Sequence, residues 1–375
     1  MTMRLALTGV GLVTALGRGA TGSCAALRAG VALPVELGAE VEDGEGGMIP
    51  AAGYPTGLAD GFFQTGAWVR LATAALEDLG HQSGFALEDA AGWQRSGLTL
   101  LLPAILEPRF RWTPADATDL IHQVTDPVAS LLRLPAAPAQ RSALGGGCTG
   151  LASALEGALR QPAQTPRERW VLAAADSYVD GLSLSWLALE GRLKEPGQPV
   201  GLAPGEAGAA LLLETEHAAR QRRAQPLGFI ESVALTRAPA GTPPPASPGE
   251  EGPTWAPPPA PALGRALAQA LRGVLPAGPA PWHGDLYLDL NGETWKAAGW
   301  GHAQVDLVRV IAFDRCRVIF PAESLGETGA ASPLIGVALA LWNLRRDGAP
   351  GAIVCSIGDD GQVAAVRLGP AAPAR

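Results

Sequence analysis

The 375-residue sequence has only four cysteines, Cys24, Cys148, Cys316 and Cys355, and no CxxC pair among them. That excludes the paired ligands of a structural zinc and the dense spacing of a disulfide framework. Neither a metal nor a cofactor is expected, and a reducing cytoplasm fits. The five histidines, His81, His122, His217, His283 and His302, stand at no spacing that builds a metal site or a triad, so surface and capping roles are expected of them. No basic run or stripe is present and the formal net charge is -8. Without such a footprint a phosphate backbone is not matched, which removes nucleic acid from the expected partners. Apolar runs such as residues 98–102 and 334–341 fall far short of the roughly 20 residues that cross a bilayer.

What is there is a chain 47% apolar and 17% charged, long enough to bury a large core as two domains or as one duplicated unit. The start, Met1-Thr-Met-Arg-Leu-Ala-Leu-Thr-Gly-Val10, is too short and too broken by glycine for a signal peptide. It reads as a strand at 5–8 entering a glycine-rich turn. Strand-like and helical runs then alternate: helices 22–29 and 68–79, strand 97–102, helix 149–160 and strand 170–174, the signature of a layered α/β fold. After an apolar strand within 205–214 and a helix at 216–223 the plan repeats, through strand 229–235, helix 263–274, strand 285–290, helices 301–309 and 332–346, and strands 352–356 and 362–368. Both halves close on an apolar strand, which predicts duplicated units over residues 1–224 and 225–375. Segments 38–57, rich in Gly and Glu, and 238–261, with two proline runs, read as flexible surface stretches. Trp255, Trp282, Trp295 and Trp300 cluster in the second half, where core or loop packing is favoured over an exposed partner surface.

Several stretches carry a family resemblance. Arg4-Leu-Ala-Leu-Thr-Gly-Val-Gly-Leu-Val-Thr-Ala-Leu-Gly17, with the helix ending Leu27-Arg-Ala-Gly30, resembles the opening of β-ketoacyl-acyl-carrier-protein synthases. Gly147-Cys-Thr-Gly-Leu-Ala-Ser-Ala-Leu-Glu-Gly-Ala158 looks like their nucleophile turn and helix, and residues 205–220 are similar to the hairpin that closes their first half. Asp289-Leu-Asn-Gly-Glu-Thr294, Gly326-Glu-Thr-Gly-Ala-Ala331 and Cys355-Ser-Ile-Gly-Asp-Asp-Gly361 follow in the family's order. The resemblance implies a thiolase-like five-layered α-β-α-β-α fold that usually dimerises.

It also implies lost chemistry. The family's Cys-Ala-Thr-Gly places the nucleophile where Gly147 stands, so Cys148 is one residue late. Such a step turns a side chain by roughly 100° at a helix start, and the sulfur is expected to point away from the pocket. Cys148 itself reads as a small buried residue in a tight glycine turn. The two histidines that would donate to the developing anion correspond to Asn291, whose amide still donates, and to Glu327, whose carboxylate would repel it. The lysine ahead of the second histidine falls at Ala322 or Glu323, so its charge is gone. Gly358-Asp-Asp-Gly361 replaces a loop whose phenylalanine gates the pocket. Glu323 and Glu327, four apart, read as solvated loop acids.

Cys148, Asn291 and Glu327 are therefore expected to be relic positions in a pseudoenzyme. The implied role is a binding, adaptor or co-chaperone component, in a homodimer or heterodimer, of the kind that loads a type VI secretion effector. Two alternatives stay open: a chain-length or initiation-factor-like partner of an active ketosynthase, and a divergent β-ketoacyl synthase or acyltransferase using Cys148.

Overall fold

The computed structural model describes residues 4–42, 47–110, 112–160, 167–195, 198–243 and 254–371. The first half runs β1 (Leu5–Thr14), β2 (Gly17–Arg18), α1 (Ala20–Arg28), β3 (Val35–Glu42), β4 (Met48–Gly53), α2 (Thr65–Ser83), α3 (Ala90–Trp93), β5 (Ser96–Leu102), α4 (Pro114–Leu131), β6 (Arg141–Gly145), α5 (Gly150–Leu159), β7 (Arg169–Ser177), α6 (Gly181–Leu189), β8 (Glu206–Thr215) and α7 (Glu216–Gln221). The second runs β9 (Gly228–Arg237), α8 (Ala260–Val274), β10 (Asp285–Tyr287), α9 (Thr294–Leu307), β11 (Arg317–Ile319), α10 (Ala322–Leu325), α11 (Ser332–Asp347), β12 (Ala352–Ile357) and β13 (Gln362–Pro370).

The strand order is β11-β10-β12-β13-β9-β1-β8-β7-β5-β6. β1 and β9 meet antiparallel over three residue pairs, Leu5 to Leu7 against Ile230 to Gly228, and join two sets of five strands. Each set has the same plan. β1-β8-β7-β5-β6 corresponds to β9-β13-β12-β10-β11, and in each the strand next to the joint, β8 or β13, is antiparallel to both neighbours. The remaining pairs are parallel. The same topology occurring twice is the duplication expected from the sequence.

Layering follows from strands that are apolar on both faces. Leu211 and Leu213 of β8 face a central core with α5 and α11, whereas Leu212 between them joins Val171 and Ala173 of β7 beneath α2 and α4. Val354, Ala364 and Val366 face the same central core, and Ile353, Cys355, Val363 and Ala365 pack under α8 and α9. Helix, sheet, helix pair, sheet and helix make five layers, each strand burying alternate side chains in different cores.

Several expectations need correction. The glycines after Leu5–Thr8 do not start a turn: β1 continues to Thr14, every residue buried. Gly11 lies so close under α2 that a Cβ there would sit 2.0 Å from the Ala75 carbonyl oxygen and 2.5 Å from the Leu79 nitrogen. Glycine serves close packing here. Segment 38–57 is mostly the β3–β4 hairpin, laid against α6 through Leu37 and Ala39, with residues 43–46 outside the described residues. In segment 238–261, residues 244–253 lie outside the described residues, but Ala238 is buried and Trp255 packs against Trp295 at 5.6 Å. Trp295 and Trp300 are buried and Trp255 and Trp282 partly so, as the core-packing expectation had it. Among the described residues no helix is long and apolar enough to cross a membrane.

Candidate functional site

Most strands in each half that run parallel end on the same side of the molecule, and the loops leaving their carboxyl ends carry charged residues. Clefts at such carboxyl ends are the usual ligand sites of open α/β sheets. Arg109 follows β5, Cys148 follows β6, Asp176 closes β7, Asn291 and Glu293 follow β10, and Asp359 follows β12. Around a cavity of about 220 Å³ these loops meet. Arg192 enters from the loop between α6 and β8, Lys296 from the first turn of α9, and Glu327 from the loop before α11.

Three buried cations organise the wall. Arg192 makes a fork to Glu293, with Nε to Oε1 at 2.7 Å and Nη2 to Oε2 at 2.9 Å. It bonds Asp359 through Nη1 at 2.6 Å and Nη2 at 3.1 Å. Lys296 Nζ stands 3.3 Å from Glu327 and 3.4 Å from Asp289. Arg109 donates to Asp176 at 2.9 Å and faces Glu107 at 3.9 Å. Removing such charges from water is costly unless partners and hydrogen bonds compensate, and here all but Glu107 are so held. The Asn291 amide donates to Glu327 at 2.7 Å and to Glu293 at 3.0 Å. The Gly329 N–H adds a bond to Glu327 at 2.8 Å.

The protonation states follow from these contacts. Burial works against the Glu327 carboxylate, but Lys296, the Gly329 N–H and the Asn291 amide hold it below its ordinary range. Burial likewise opposes the Lys296 ammonium, and Asp289 and Glu327 hold it above its ordinary range. Glu107 has a distant cation and no comparable set of donors; burial pushes its carboxyl up to about 8. Burial also raises Asp176, to about 6, against the pull of Arg109. The Cys148 thiol is pushed well above its ordinary range, first by burial and then by Asp289, with Lys296 opposing and Glu327 and Asp359 adding to the rise. It is a thiol, and thiols are poor nucleophiles.

Three solved structures were compared over nearly the whole chain. A chain of a type II polyketide synthase acyl-carrier protein in complex with its ketosynthase bound to the hexaketide superposes with a TM-score of 0.72 at 14% identity, covering 99% of this chain and 100% of that one. The oxazolomycin ketosynthase domain of Streptomyces albus JA3453 gives 0.69 at 16% identity, over 100% of this chain and 75% of that one. The ishigamide ketosynthase/chain length factor gives 0.65 at 18% identity, over 98% and 100%. The fold is the thiolase-like fold of ketosynthases. No protein-family profile and no curated protein sequence matches the chain.

On this ketosynthase-like scaffold, Cys148, Asn291 and Glu327 come together. Cys148 and Glu327 both line the cavity, and Asn291 is bonded to Glu327. Two expectations are corrected. Glu327 is buried, not solvated, while Glu323 is exposed. The positive charge missing at Ala322 and Glu323 is supplied from another element, by Lys296, so Glu327 is neutralised instead of repelling its surroundings. The histidines lie elsewhere: His81, His122, His217 and His302 are exposed, and His283 pairs with Arg315. Among the described residues no group of His, Cys, Asp or Glu is placed to hold a metal ion.

Arg109, Asp176, Arg192, Glu293 and Lys296 went unrecognised in the sequence. Their partners are up to 167 residues away, as Arg192 and Asp359 are. The one signal available was an acid at or just beyond the carboxyl end of an apolar strand, at Asp176 and Asp289.

Proposed function

We propose that this chain is a ketosynthase-like protein that does not condense acyl groups and acts by binding another polypeptide. The carrying observation is the Asn291–Glu327–Lys296–Asp289 cluster. The two positions at which the resemblance implies histidine donors hold an amide and a carboxylate bonded to each other, and the lysine is spent on two acids. A decarboxylating site needs free donors aimed at developing negative charge. Here the donors are taken, and the thiol beside them keeps its proton. Residues 1–224 and 225–375 are read as the two units of the scaffold.

Support for a binding role comes from the company the fold keeps. One solved neighbour is described as a complex with an acyl-carrier protein and another as a ketosynthase/chain length factor. The partner classes are a second copy of this chain, an active ketosynthase, and the adaptor or effector of a type VI secretion system, the finer reading that the resemblance implies. The test is incubation of the folded protein with acyl-carrier-protein thioesters and malonyl thioester, read by intact mass and by carbon dioxide release. Neither acylation nor gas is expected. Acylation of Cys148 would overturn the proposal in favour of the acyltransferase reading, and affinity purification from the native host distinguishes the partner classes.

A further inference from the structure

We infer that the cavity lined by Cys148 is a binding site for a small organic cation, with the Glu107 carboxyl and the Tyr178 hydroxyl as its two free acceptors. The inference rests on the reading that the cavity no longer takes an acyl or malonyl group. The space is open to solvent: Cys148 and Glu107 are half-buried, and Asp360 and Arg237 of the same wall are exposed. Its volume of about 220 Å³ equals roughly seven waters at about 30 Å³ each, room for a lysine side chain or a free amine of that size.

The sign of the ligand follows from which charges are already engaged. Lys296 lies between two acids, Asp289 and Glu327, and Arg192 between two more, Glu293 and Asp359. Arg109 is bonded to Asp176 and Arg237 to Asp360. Six acids thus face four cations before Glu107 is counted, and no cation of the wall is left to receive an anion. A cleft with such an excess attracts positive charge. Among the described residues no group of His, Cys, Asp or Glu is placed to hold a metal ion, which points to an ammonium or guanidinium.

Two polar groups of the wall have no partner. Tyr178 lines the cavity at 7% exposure, with the Arg109 guanidinium 3.8 Å over its ring, and among the described residues its hydroxyl makes no hydrogen bond. Glu107 has Arg109 Nε at 3.9 Å, beyond hydrogen-bond range, and its carboxyl accepts no hydrogen bond among the described residues either. An unpartnered buried hydroxyl costs stability, and a ligand N–H removes that cost. A primary ammonium has three N–H donors: two serve Tyr178 and Glu107, and the third meets water at the open side. Glu107 is held neutral by burial, with Asp359 and Asp176 adding to the effect and Arg109 and Arg192 opposing it. The arriving positive charge favours its carboxylate, so the cation enters and the Glu107 proton leaves to solvent.

The test is calorimetric titration of the full chain at pH 7 with n-butylammonium, the lysine side chain as a free amine, and with its neutral and anionic counterparts 1-butanol and butyrate at equal ionic strength. The ammonium is expected to bind at least about tenfold more tightly than either, the size of effect that a hydrogen bond to a charged group gives. Repeating the titration in buffers of different ionisation enthalpy is expected to show proton release by the wild type. Glu107→Gln, shown to be folded by circular dichroism, is expected to bind the ammonium at least about tenfold more weakly and to release no proton. Should that variant fail to fold, Tyr178→Phe removes the other acceptor and is expected to weaken binding about tenfold. Nα-acetyl-lysine methylamide separates the sources: affinity equal to that of n-butylammonium means a lysine side chain offered by a polypeptide, and loss of affinity means a free amine. Equal affinity for the three four-carbon probes, or wild-type affinity in the folded variants, overturns the cation site. The readout is charge preference and not acylation, so the cation site and the non-condensing reading fail on different results.

Discussion

The Asn291 amide donates to the Glu327 carboxylate at 2.7 Å, across 36 residues of sequence. Each group thereby satisfies the other inside the protein, and Lys296 balances the charge. Removing one member of a buried, paired set leaves the others uncompensated, which costs about 3–5 kcal/mol. Glu327→Ala is expected to lower unfolding stability by that amount in urea titrations, and Glu327→Gln by less, because its amide oxygen still accepts from Asn291. The sign with pH is fixed by the lowered carboxylate. The contribution is complete above the ordinary value of 4.5 and is lost as the pH falls through the lower folded value.

Cys148 should behave as an inert thiol. With its ionisation pushed well above 9, its alkylation by a small reagent is expected to rise steadily with pH through 9 and to show no plateau in that range, since the thiolate is the reacting form. A plateau near pH 7, read from peptide-level mass spectrometry, would mean a thiolate stabilised at neutral pH and would contradict the electrostatics of the cavity.

The elements with one clear period were legible in the sequence. Helices such as α2 and α8 and strands such as β5 and β12 lie within a few residues of their expected places, because their apolar residues recur at helical or strand spacing. α6 was missed for the opposite reason: Leu182, Leu184, Leu187 and Leu189 make it apolar all round, so no stripe marks it as a helix. Pro127 inside α4 reads as a breaker. α9 was expected at 301–309 and runs Thr294–Leu307, with Gly299 and Gly301 inside it. Gly299 is there because α8 crosses so closely that a Cβ would sit 2.4 Å from Leu263. That misplaced start also concealed Lys296, whose charge was sought at Ala322 and Glu323. Local pattern reports which residues are buried and in what rhythm. It does not report which loop meets which, and the cavity is made of such meetings.

Glu107 carries a proton at neutral pH, with its folded value raised to about 8 from an ordinary 4.5. The unfolded chain releases that proton first, so between pH 4.5 and 8 the folded state holds more protons and stability from this group falls as pH rises. Glu107→Gln keeps the shape of the neutral acid and removes the penalty. It is expected to stabilise the protein at pH 9 by on the order of 2 kcal/mol, less than the full shift implies because the carboxyl keeps some solvent contact, and to be neutral near pH 4.5. Parallel urea titrations at the two pH values check this. Equal stability of variant and wild type at pH 9 would count against a protonated Glu107.

Gly11 and Gly22 separate a glycine that close packing requires from one that nothing around it requires. Gly11 sits in a central, wholly buried strand where α2 comes down onto the backbone, and the added Cβ of Gly11→Ala would meet Ala75 and Leu79 main-chain atoms. Main chain cannot rotate aside as a side chain can, so the whole helix must shift. Overpacking of this kind costs about 1–3 kcal/mol and occasionally more, and Gly11→Ala is expected at or above the top of that range. Gly22 lies on the exposed face of α1, and a Cβ there has nothing within 4 Å. Alanine in an exposed helix interior is better than glycine by about 1 kcal/mol, so Gly22→Ala is expected to stabilise. Thermal unfolding of the two variants should therefore move in opposite directions. If both destabilise, α1 needs its glycine for a contact that the monomer does not make, and the surface around Gly22 becomes the place to look for the partner.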